Sequence, residues 1–463
     1  MKFDTDGGLL KRCWPSEGET EAIIPESIRE IGHFAFMGCT GLVRIRIPAG
    51  VEQVEMLAFM QCSALESIDV APENPDYFSR DGVLFRKDGM VLAVYPPAKP
   101  DAEYTVPDGI RILEENAFMG CTRLVRLTIP AGVTEIRGIL FRDCIHLEKF
   151  CVSPENPVYA SPGGVLFRKP DAVLLRCPPQ YPEPEYAIPD GTRAVAPSAF
   201  FGAAHLAAVT VPDSVNSIGN WAFQDCTALR SVTLPDGFQR LGARTFAGCK
   251  SLRAAVLPAG LRRVDERLFE HCGSLEEAVI PLNVTEIGAG AFYECGNLRA
   301  VMIPDSVSKI GHYAFYECNR LQTFTFGEER VQFFEPQNKD EITKLLINVR
   351  ESLRKGEIVA DLRFEVRYPV AAVLYRKFQT PAEQSYLKNG FCEALPFISR
   401  NMDAALLNDL LQIDGIIPDP ALMKRALDIA IRETQSGGSA EVQMLLMRYQ
   451  QEHFPSAENP LRL

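Results

Sequence analysis

Cysteine is the residue whose number and spacing could carry chemistry in this sequence, because thiolates bind metals and pairs of thiols form disulfides. The 463 residues include 13 cysteines, and no two of them form a Cys-x-x-Cys pair, which argues against a zinc site. Nine share one phase, three residues before a recurring leucine: Cys39, Cys62, Cys121, Cys144, Cys226, Cys249, Cys272, Cys295 and Cys318. A repeated structural element must therefore position them.

The phase of these cysteines predicts buried, reduced thiols. Ala203 stands at the same phase in a further copy, so the position accepts a small buried side chain. If the copies stack as strands do, successive Cβ atoms lie about 4.8 Å apart, beyond the ~3.8 Å usual in a disulfide. We therefore expect free thiols and a reducing compartment.

The sequence carries none of the short motifs that mark common active sites. A phosphate-binding G-x-x-x-x-G-K-[ST] loop, a zinc-binding H-E-x-x-H helix and a G-x-S-x-G nucleophile turn are all missing. The six histidines fall at differing phases, which is typical of solvated loop positions. We predict no catalytic, cofactor-binding or metal-binding residue and no enzyme, and keep a hydrolase without a recognisable motif as a third alternative.

Composition excludes several classes of protein. Apolar residues make up 46% and charged residues 23% of the chain, which is typical of a soluble folded protein. The formal net charge of -12 argues against a nucleic-acid partner. No apolar run reaches the roughly 20 residues that span a bilayer, so we expect no membrane insertion. The first residues lack a basic segment followed by an apolar one, so we expect a cytoplasmic protein, with export by a non-standard route as the alternative.

A 23-residue repeat organises most of the chain. After each repeat leucine, five residues alternate in polarity before a proline, as in Val125–Ile129, which predicts a strand with one buried face. The Ala-Phe-x-x-Cys-x-x-Leu segment has the spacing of a short helical turn. Such a unit buries its apolar edge only by stacking, so we predict a solenoid of about ten coils. The ten copies end at Leu42, Leu65, Leu124, Leu147, Leu206, Leu229, Leu252, Leu275, Leu298 and Leu321.

The pattern Ile-Pro-x-x-Val-x-x-Ile-Gly-x-x-Ala-Phe-x-x-Cys-x-x-Leu resembles the BspA-type (Treponema pallidum-like) leucine-rich repeat family. The matching copies cover about two-thirds of the chain. The resemblance implies a curved solenoid. Members of that family are mostly bacterial proteins proposed to bind other proteins or surfaces, and many are exported.

Two intervals of 59 residues between repeat leucines each hold one copy and an insert of 36 residues. The inserts, about 66–103 and 148–185, carry the apolar segments Val83–Phe85 and Val165–Phe167, each followed by a turn and a second apolar segment. This pattern predicts β-hairpins. The hairpins are either structural elaborations that cover a flank or lateral recognition arms.

The predicted fold class is α+β, a leucine-rich repeat solenoid with two hairpin inserts followed by an all-α C-terminal domain. Residues 1–19 are predicted to cap the first coil, residues 20–326 to form the solenoid and residues 327–463 to form helices. The helices either cap the open end or form a second interaction module. Helix starts are indicated at Thr380, Asn401, Asp419 and Ser439, and the last helix pair resembles an ankyrin-type helical hairpin.

Strand alternation predicts which side chains face solvent, two and four residues after each leucine. In early copies this face is basic, with Arg44, Arg46, Arg126 and Lys149, and in later copies it is small or apolar, with Ala254, Val256, Val279, Ala300 and Met302. The apolar row is either a protein-binding strip or a surface that the C-terminal helices cover. The aromatic residues Phe201, Tyr293 and Tyr316 form a second candidate face, unless they pack between coils.

These surfaces predict a non-catalytic scaffold that recognises another protein and is expected to be a monomer. The alternative is a cell-surface or secreted adhesion protein, as the family resemblance implies.

Overall fold

The structure is a computed structural model that describes residues 1–55, 57–138, 141–255, 257–327, 329–333, 342–358, 362–401 and 403–454. It divides into two compact units, Met1–Ser251 and Leu252–Leu463. About 14 turns of β-solenoid occupy residues 9–326, followed by a helical region, so the predicted fold class is confirmed. There are more turns than the ten repeat copies because the N-terminal segment and the inserts add turns of their own. The domain boundaries stay a prediction.

The strands are short and the helices are confined to the C-terminal region. The described strands β1–β31 are Lys2–Asp6, Leu9–Trp14, Glu21–Ile23, Glu30–Ile31, Arg44–Ile47, Gln53–Val54, Ser67–Val70, Tyr77–Arg80, Val83–Arg86, Val91–Val94, Glu103–Thr105, Ile112–Leu113, Arg126–Ile129, Glu135–Ile136, Lys149–Val152, Tyr159–Ala160, Leu166–Arg168, Val173–Arg176, Glu185–Ala187, Ala194–Val195, Ala208–Thr210, Ser217–Ile218, Ser231–Thr233, Ala254–Ala255, Arg263–Val264, Glu277–Val279, Glu286–Ile287, Ala300–Ile303, Lys309–Ile310, Thr323–Phe326 and Glu329–Gln332. The described helices α1–α6 are Ile342–Lys355, Phe364–Phe378, Pro381–Arg400, Ala404–Leu411, Pro420–Gln435 and Ala440–His453.

Coils of the repeat contain two strands, one more than the sequence predicted. The predicted strand after the leucine forms parallel sheets, which we call the long-strand sheets: β3-β5-β7, β11-β13-β15, β19-β21-β23 and β24-β26-β28-β30. A second strand, usually of two residues, ends at or near the isoleucine of the Ile-Gly step and forms the short-strand sheets: β2-β4-β6, β10-β12-β14, β18-β20-β22 and β25-β27-β29. Neighbours within a sheet come from successive coils.

The predicted alternation holds along the long strands. On β5, Ile45 and Ile47 are buried while Arg44 and Arg46 are exposed. The buried side chains of successive coils stack into continuous cores because each coil covers the apolar edge of the next.

The Ala-Phe-x-x-Cys-x-x-Leu segment folds as successive hydrogen-bonded turns, and the predicted short helical turn is not present. Phe34 and Gly38 both have a positive φ, 59° and 76°, which interrupts the right-handed helical backbone. Asn116 and Gly120 repeat this pair in a later copy. Non-glycine residues tolerate the left-handed conformation here because bonds within the turn, such as Met37 N to Phe34 O at 2.9 Å, and bonds to the neighbouring coil, such as Phe36 N to Ala58 O at 2.8 Å, hold the backbone.

These turns align phenylalanine rings and thiols inside the coils. Phe292 is buried and stacks on Phe269 and Phe315, with ring centroids 5.4 and 5.3 Å apart. The Cys295 thiol donates to the Phe269 carbonyl oxygen at 3.0 Å. The same bond, across 26 residues, recurs at other repeat cysteines: Cys62, Cys144, Cys226, Cys249 and Cys318.

Glycine follows the repeat isoleucine because two coils approach closely there. A Cβ on Gly311 would lie 2.4 Å from the main-chain nitrogen of Ala289, and one on Gly219 would lie 2.5 Å from that of Pro197. Real Cβ atoms do not approach backbone atoms so closely, so a side chain would push the coils apart.

Each insert forms an antiparallel three-stranded segment, β8-β9-β10 or β16-β17-β18, and the predicted hairpins are confirmed. The last strand of each segment then pairs in parallel with the next coil. Val83, Leu84 and Phe85 on β9 are all buried in the core. Their burial favours the interpretation as structural elements over that of recognition arms.

A buried asparagine fixes the first insert to the coil before it. The Asn74 amide donates to the carbonyl oxygens of Pro48 and Val51 at 3.0 and 2.8 Å. Its Oδ1 accepts from the main-chain amides of Asp76 and Tyr77 at 2.9 and 2.8 Å. All four bonds of this buried side chain are therefore made.

The Tyr77 hydroxyl completes the junction by accepting from Val54 N at 3.0 Å. In the second insert, 82 residues later, Asn156 makes the same four bonds and the Tyr159 hydroxyl accepts from Ile136 N at 2.8 Å. The polar side chains thus replace main-chain bonds where the insert interrupts the sheet.

At the N-terminus, β1 and β2 form an antiparallel hairpin, and β2 pairs in parallel with β4. This arrangement is consistent with the predicted cap, because β2 covers the edge of the first short-strand sheet.

The helical region lies against the last coils of its own unit. β31 runs antiparallel to β30 and is the edge strand of this sheet. Arg376 on α2 pairs with Glu329 at 2.9 Å, and Arg350 on α1 donates to the Asp305 carbonyl oxygen at 3.1 Å. These contacts agree with a capping role. Among the described helices, none has the length and apolar character that crossing a membrane requires.

Three of the four predicted helix starts are confirmed. Asp419 and Ser439 accept main-chain amides as N-caps of α5 and α6, and Thr380 precedes α3, although its hydroxyl donates to Glu383 instead of accepting an amide. The prediction of Asn401 is wrong, because Asn401 ends α3. Asp403 caps α4 by accepting from Leu406 N at 3.1 Å, since its carboxylate lies in the residue directly before the helix.

Candidate functional site

The predicted basic residues are exposed, but the arginines lie beside acidic partners. Arg46 pairs with Glu21 at 2.8 Å and Arg44 with Asp69 at 3.4 Å, across neighbouring long strands. Surface pairs of this kind contribute about 0.2–1 kcal/mol each and mostly fix the strand register. The basic face is therefore partly neutralised.

The other two basic residues lie on a different long-strand sheet. Arg126 pairs with Glu103 at 3.2 Å. Arg126 and Lys149 stand opposite each other in register on β13 and β15, and Lys149 is exposed. The four predicted residues thus form two separate pairs and no single cluster.

The predicted apolar row is present on the second unit. Val279 on β26 stands opposite Met302 on β28, and their side chains are 53% and 44% exposed. Ala254 is exposed and Ala300 is half-buried on the same face. Val256 lies outside the described residues. Since Val279 and Met302 remain exposed, the described helices do not cover this part of the row.

The predicted aromatic face is less exposed than expected. Phe201, Tyr293 and Tyr316 are half-buried. Tyr293 and Tyr316 stack on adjacent coils with ring centroids 5.0 Å apart, and the Arg267 guanidinium lies 5.9 Å from the Tyr293 ring. This geometry favours the alternative that these rings pack between coils.

The repeat cysteines are buried and form no disulfide, and among them the pKa of Cys39 is lowered by its hydrogen bond with Cys13. All 13 cysteines are thiols, and 11 are buried. Burial raises the pKa of Cys62, Cys226 and Cys318 to about 12, so these thiols stay protonated at neutral pH. Within the part of the chain that the structure describes, no three metal-ligating side chains come together.

One site was missed by the sequence analysis, a cleft of about 570 Å³ beside the first insert. We call it the insert cleft. It lies in the first unit, where β6 ends one short-strand sheet and β10 begins the next. The described lining includes the guanidinium of Arg86 and six carboxylates: Glu52, Glu55, Asp76, Asp88, Glu114 and Glu115.

The charge of the insert cleft could have been found from the sequence by comparing the two inserts. Residues 51–119 align with residues 133–201 at a constant offset of 82, without a gap. The six carboxylates then correspond to neutral or basic residues in the second copy: Thr134, Arg137, Val158, Pro170, Ala196 and Pro197. The second copy gains one carboxylate, Glu135 in place of the lining residue Gln53, so the first copy is the more acidic of the two.

Comparison with known proteins identifies the repeat. The model of the BspA type leucine-rich repeat region matches residues 12–80, 102–159 and 193–322 in six copies. The crystal structure of a leucine-rich repeat protein from Eubacterium ventriosum is 20% identical over 70% of this chain and 90% of that chain, with a TM-score of 0.52. No curated protein matches the chain.

Two further solved structures are similar. A leucine rich cell surface protein from Faecalibacterium prausnitzii is 23% identical over 70% of this chain and 95% of its own, with a TM-score of 0.44. The T. pallidum leucine-rich repeat protein is 32% identical over 38% of this chain and 82% of its own, with a TM-score of 0.32. The family model alone covers more than half of the residues, and the chain therefore belongs to the BspA-type leucine-rich repeat family.

Proposed function

We propose that this protein is a non-catalytic scaffold that binds another protein through the outward face of the long-strand sheet in its second unit. Leucine-rich repeat proteins are generally protein-interaction scaffolds, and their solenoid fold is typically non-enzymatic. The observation that carries the proposal is the exposed pair Val279 and Met302, which stand opposite each other on adjacent strands.

The face around this pair suits a protein partner. Its neighbours Ala254 and Ala300 are small, so another backbone can approach closely, and the exposed Glu277 stands in register between these two alanines. Removing apolar surface from water contributes about 25 cal/mol per Å². An interface core is typically depleted of charge, so Val279 and Met302 would form the core of the contact and Glu277 the charge nearest to it.

The test is a double variant, Val279→Asp with Met302→Asp, compared with Ala187→Asp. Ala187 is exposed at an outward position of a long strand in the first unit, so it controls for adding a carboxylate to this type of surface. We expect the tagged double variant to lose, by at least ~10-fold, a protein that the wild type and the control both capture from the native organism's lysate.

Two outcomes of that experiment decide against the proposal. Equal capture by all three proteins rejects the face. A thermal midpoint lowered by more than a few degrees in the double variant alone would mean that the row is a structural contact, since exposed substitutions usually change stability by about 0.5 kcal/mol or less. Light scattering of the wild type separates a second copy of the chain from a different partner, and we propose that the protein is a monomer.

We also propose that the protein works in the cytoplasm. The support is chemical, because 13 thiols without a disulfide suit a reducing compartment. Fractionation of the native cells tests this, and recovery of the protein in the medium or on the cell surface would contradict it.

A further inference from the structure

Three strands of the first unit begin a short-strand sheet directly after an antiparallel hairpin strand: β2, β10 and β18. Arg12, Val94 and Arg176 occupy equivalent positions in these strands. In each case the main-chain amide of the next residue donates to the carbonyl oxygen of an alanine 22 residues further along the chain, at 2.7, 2.8 and 2.7 Å.

In the second insert, an internal guanidinium fills the gap that the insert creates. Arg176 is buried, and its Nη2 donates to the carbonyl oxygens of Phe201 at 3.1 Å and Phe141 at 3.4 Å. Its Nη1 donates to the Ser198 carbonyl oxygen. One side chain therefore bridges the coil before the insert and the coil after it.

The N-terminal hairpin uses an arginine in the same way. Arg12 Nη2 donates to the Met37 carbonyl oxygen at 3.0 Å and Nη1 donates to that of Phe34 at 3.4 Å. These carbonyls are equivalent to those of Phe201 and Ser198. Two of the three equivalent turns thus show what this backbone geometry binds, a planar guanidinium with its donors on main-chain oxygens.

The first insert has the receptor without the arginine. Val94 has no donor to offer to the equivalent carbonyls, those of Asn116 and Met119. Val94, Asn116 and Met119 instead line the insert cleft, together with Phe59, which is equivalent to Phe141. The turn that lacks the internal cation is also the one whose surroundings have gained six carboxylates.

We propose that the insert cleft binds an arginine side chain presented by a segment of a partner protein. The guanidinium takes the place that Arg12 and Arg176 occupy in the equivalent turns, donating to the carbonyl oxygens of Asn116 and Met119. The lining stays net acidic, although Glu114 pairs with Arg137 at 3.1 Å and Glu55 with His33 at 2.9 Å. It therefore attracts a cation, whereas the second insert already holds its own in Arg176.

The geometry distinguishes arginine from other cations. Two carbonyl oxygens on one turn match the planar guanidinium, whose donors lie on separate nitrogens, whereas an ammonium group has all of its donors on one nitrogen. Free arginine carries an α-ammonium as well as an α-carboxylate, so its net charge equals that of an arginine in a blocked peptide and the acidic lining does not separate the two. The choice of a protein segment rests on the proposed function, since leucine-rich repeat proteins are generally protein-interaction scaffolds.

The test uses blocked tripeptides, acetyl-Gly-Arg-Gly-amide and its lysine and citrulline analogues, with free arginine as a fourth probe. Binding to the full-length protein is followed by NMR of methionine methyl groups. Met60 and Met119 line the cleft and serve as reporters, and Met302 in the second unit serves as the internal control. We expect the arginine peptide to bind at least ~10-fold more tightly than the citrulline peptide, because charge-assisted hydrogen bonds are lost with the charge.

The variants test the mechanism directly. Val94→Arg supplies the internal guanidinium and is expected to abolish peptide binding, while Val94→Ala leaves the cleft open and retains it. Glu115→Gln combined with Asp88→Asn is expected to weaken binding about 2- to 5-fold, as removal of exposed charge pairs does. Glu185→Gln, an exposed carboxylate away from the cleft in the same unit, leaves binding unchanged.

Several results would overturn the proposal. Binding of the lysine peptide as tight as that of the arginine peptide reduces the cleft to a general acidic surface, and tighter binding of free arginine than of the arginine peptide replaces the protein segment by a small molecule. Binding to Val94→Arg equal to the wild type places the guanidinium elsewhere. If Val94→Arg does not fold, the variant Glu115→Gln with Asp88→Asn decides instead. Peptide binding to that variant equal to the wild type would also show that the guanidinium binds elsewhere. The assay needs no natural partner, so its outcome is independent of the Val279–Met302 experiment.

Discussion

Replacing Asn74 by alanine tests whether a single side chain holds the first insert in place. The four bonds of Asn74 connect two carbonyls of the preceding coil to two amides of the insert, at 2.8–3.0 Å. Alanine can make none of them. Because the insert forms one wall of the cleft, the same change bears on the proposed arginine site.

The expected cost follows from what the substitution leaves behind. Asn74 is buried, and so are its bonds to Pro48, Val51 and Tyr77. A buried polar group without a partner costs about 1–3 kcal/mol, and water entering the space vacated by the amide satisfies part of the loss. We therefore expect the free energy of unfolding of the first unit to fall by about 3–5 kcal/mol.

Asn74→Asp tests the two bonds that Asn74 donates separately from the two that it accepts. The carboxylate keeps an acceptor for the amides of Asp76 and Tyr77 but faces two carbonyl oxygens without a donor. Burial and these oxygens raise the pKa of the new side chain, so the protonated form, which can donate once, is favoured in the folded state. The stability of this variant should therefore be greatest at low pH and be lost as the pH rises through that raised pKa.

Urea unfolding and hydrogen exchange measure these effects. Asn283→Ala is the matched control, because Asn283 makes one exposed bond to the Ala259 carbonyl oxygen at 3.0 Å and its loss should cost about 0.5 kcal/mol or less. In Asn74→Ala we expect the Asp76 and Tyr77 amides to lose protection. A change in unfolding free energy below about 1 kcal/mol, with both amides still protected, would refute the reasoning.

Two further predictions concern the coils themselves. Gly311→Ala should lower the unfolding free energy of the second unit by about 2 kcal/mol or more, since the added Cβ would lie 2.4 Å from Ala289 N. The control Gly296→Ala should be neutral, because a Cβ there has no atom within 4 Å. Equal urea midpoints for the two variants would contradict the close approach of the coils. Burial raises the Cys226 pKa from 9.0 to about 12, so the unfolded thiol ionises first and the unfolding free energy falls between pH 9.0 and 12, by up to about 1.4 kcal/mol per pH unit. Cys226→Ala should reduce the measured slope by this amount, while Cys62 and Cys318 keep their own contributions, and an unchanged slope would show that the Cys226 thiol does not contribute.

The long strands could be predicted from the sequence because one of their faces is apolar and the other is polar. Arg44 and Ile45 alternate on β5, and equal positions recur every 23 residues, so strand, face and stacking could all be predicted. The insert hairpins were predictable for a similar reason, since Val83–Phe85 is an apolar run followed by a turn. These features depend on local patterns that survive in a single chain.

The missed features depend on neighbouring coils. A strand such as Glu30–Ile31 is too short to show a period, and it exists because parallel strands flank it on both sides. Phe34 adopts a left-handed backbone that its own residue type disfavours, so the turn could not be predicted from local preference. In both cases the tertiary bonds decide the conformation.

The insert cleft shows why inserts are the place where a repeat protein can acquire a specific site. A regular coil buries its edge against a similar neighbour, so the stacked coils present a largely continuous wall. An insert interrupts the short-strand sheet, and one residue on the restarting strand determines whether the gap is filled. Arg176 fills it and Val94 does not, although residues 51–119 and 133–201 align without a gap at an offset of 82. Selection for binding can therefore act on that residue and its acidic neighbours without disturbing the ladder of coils that supports them.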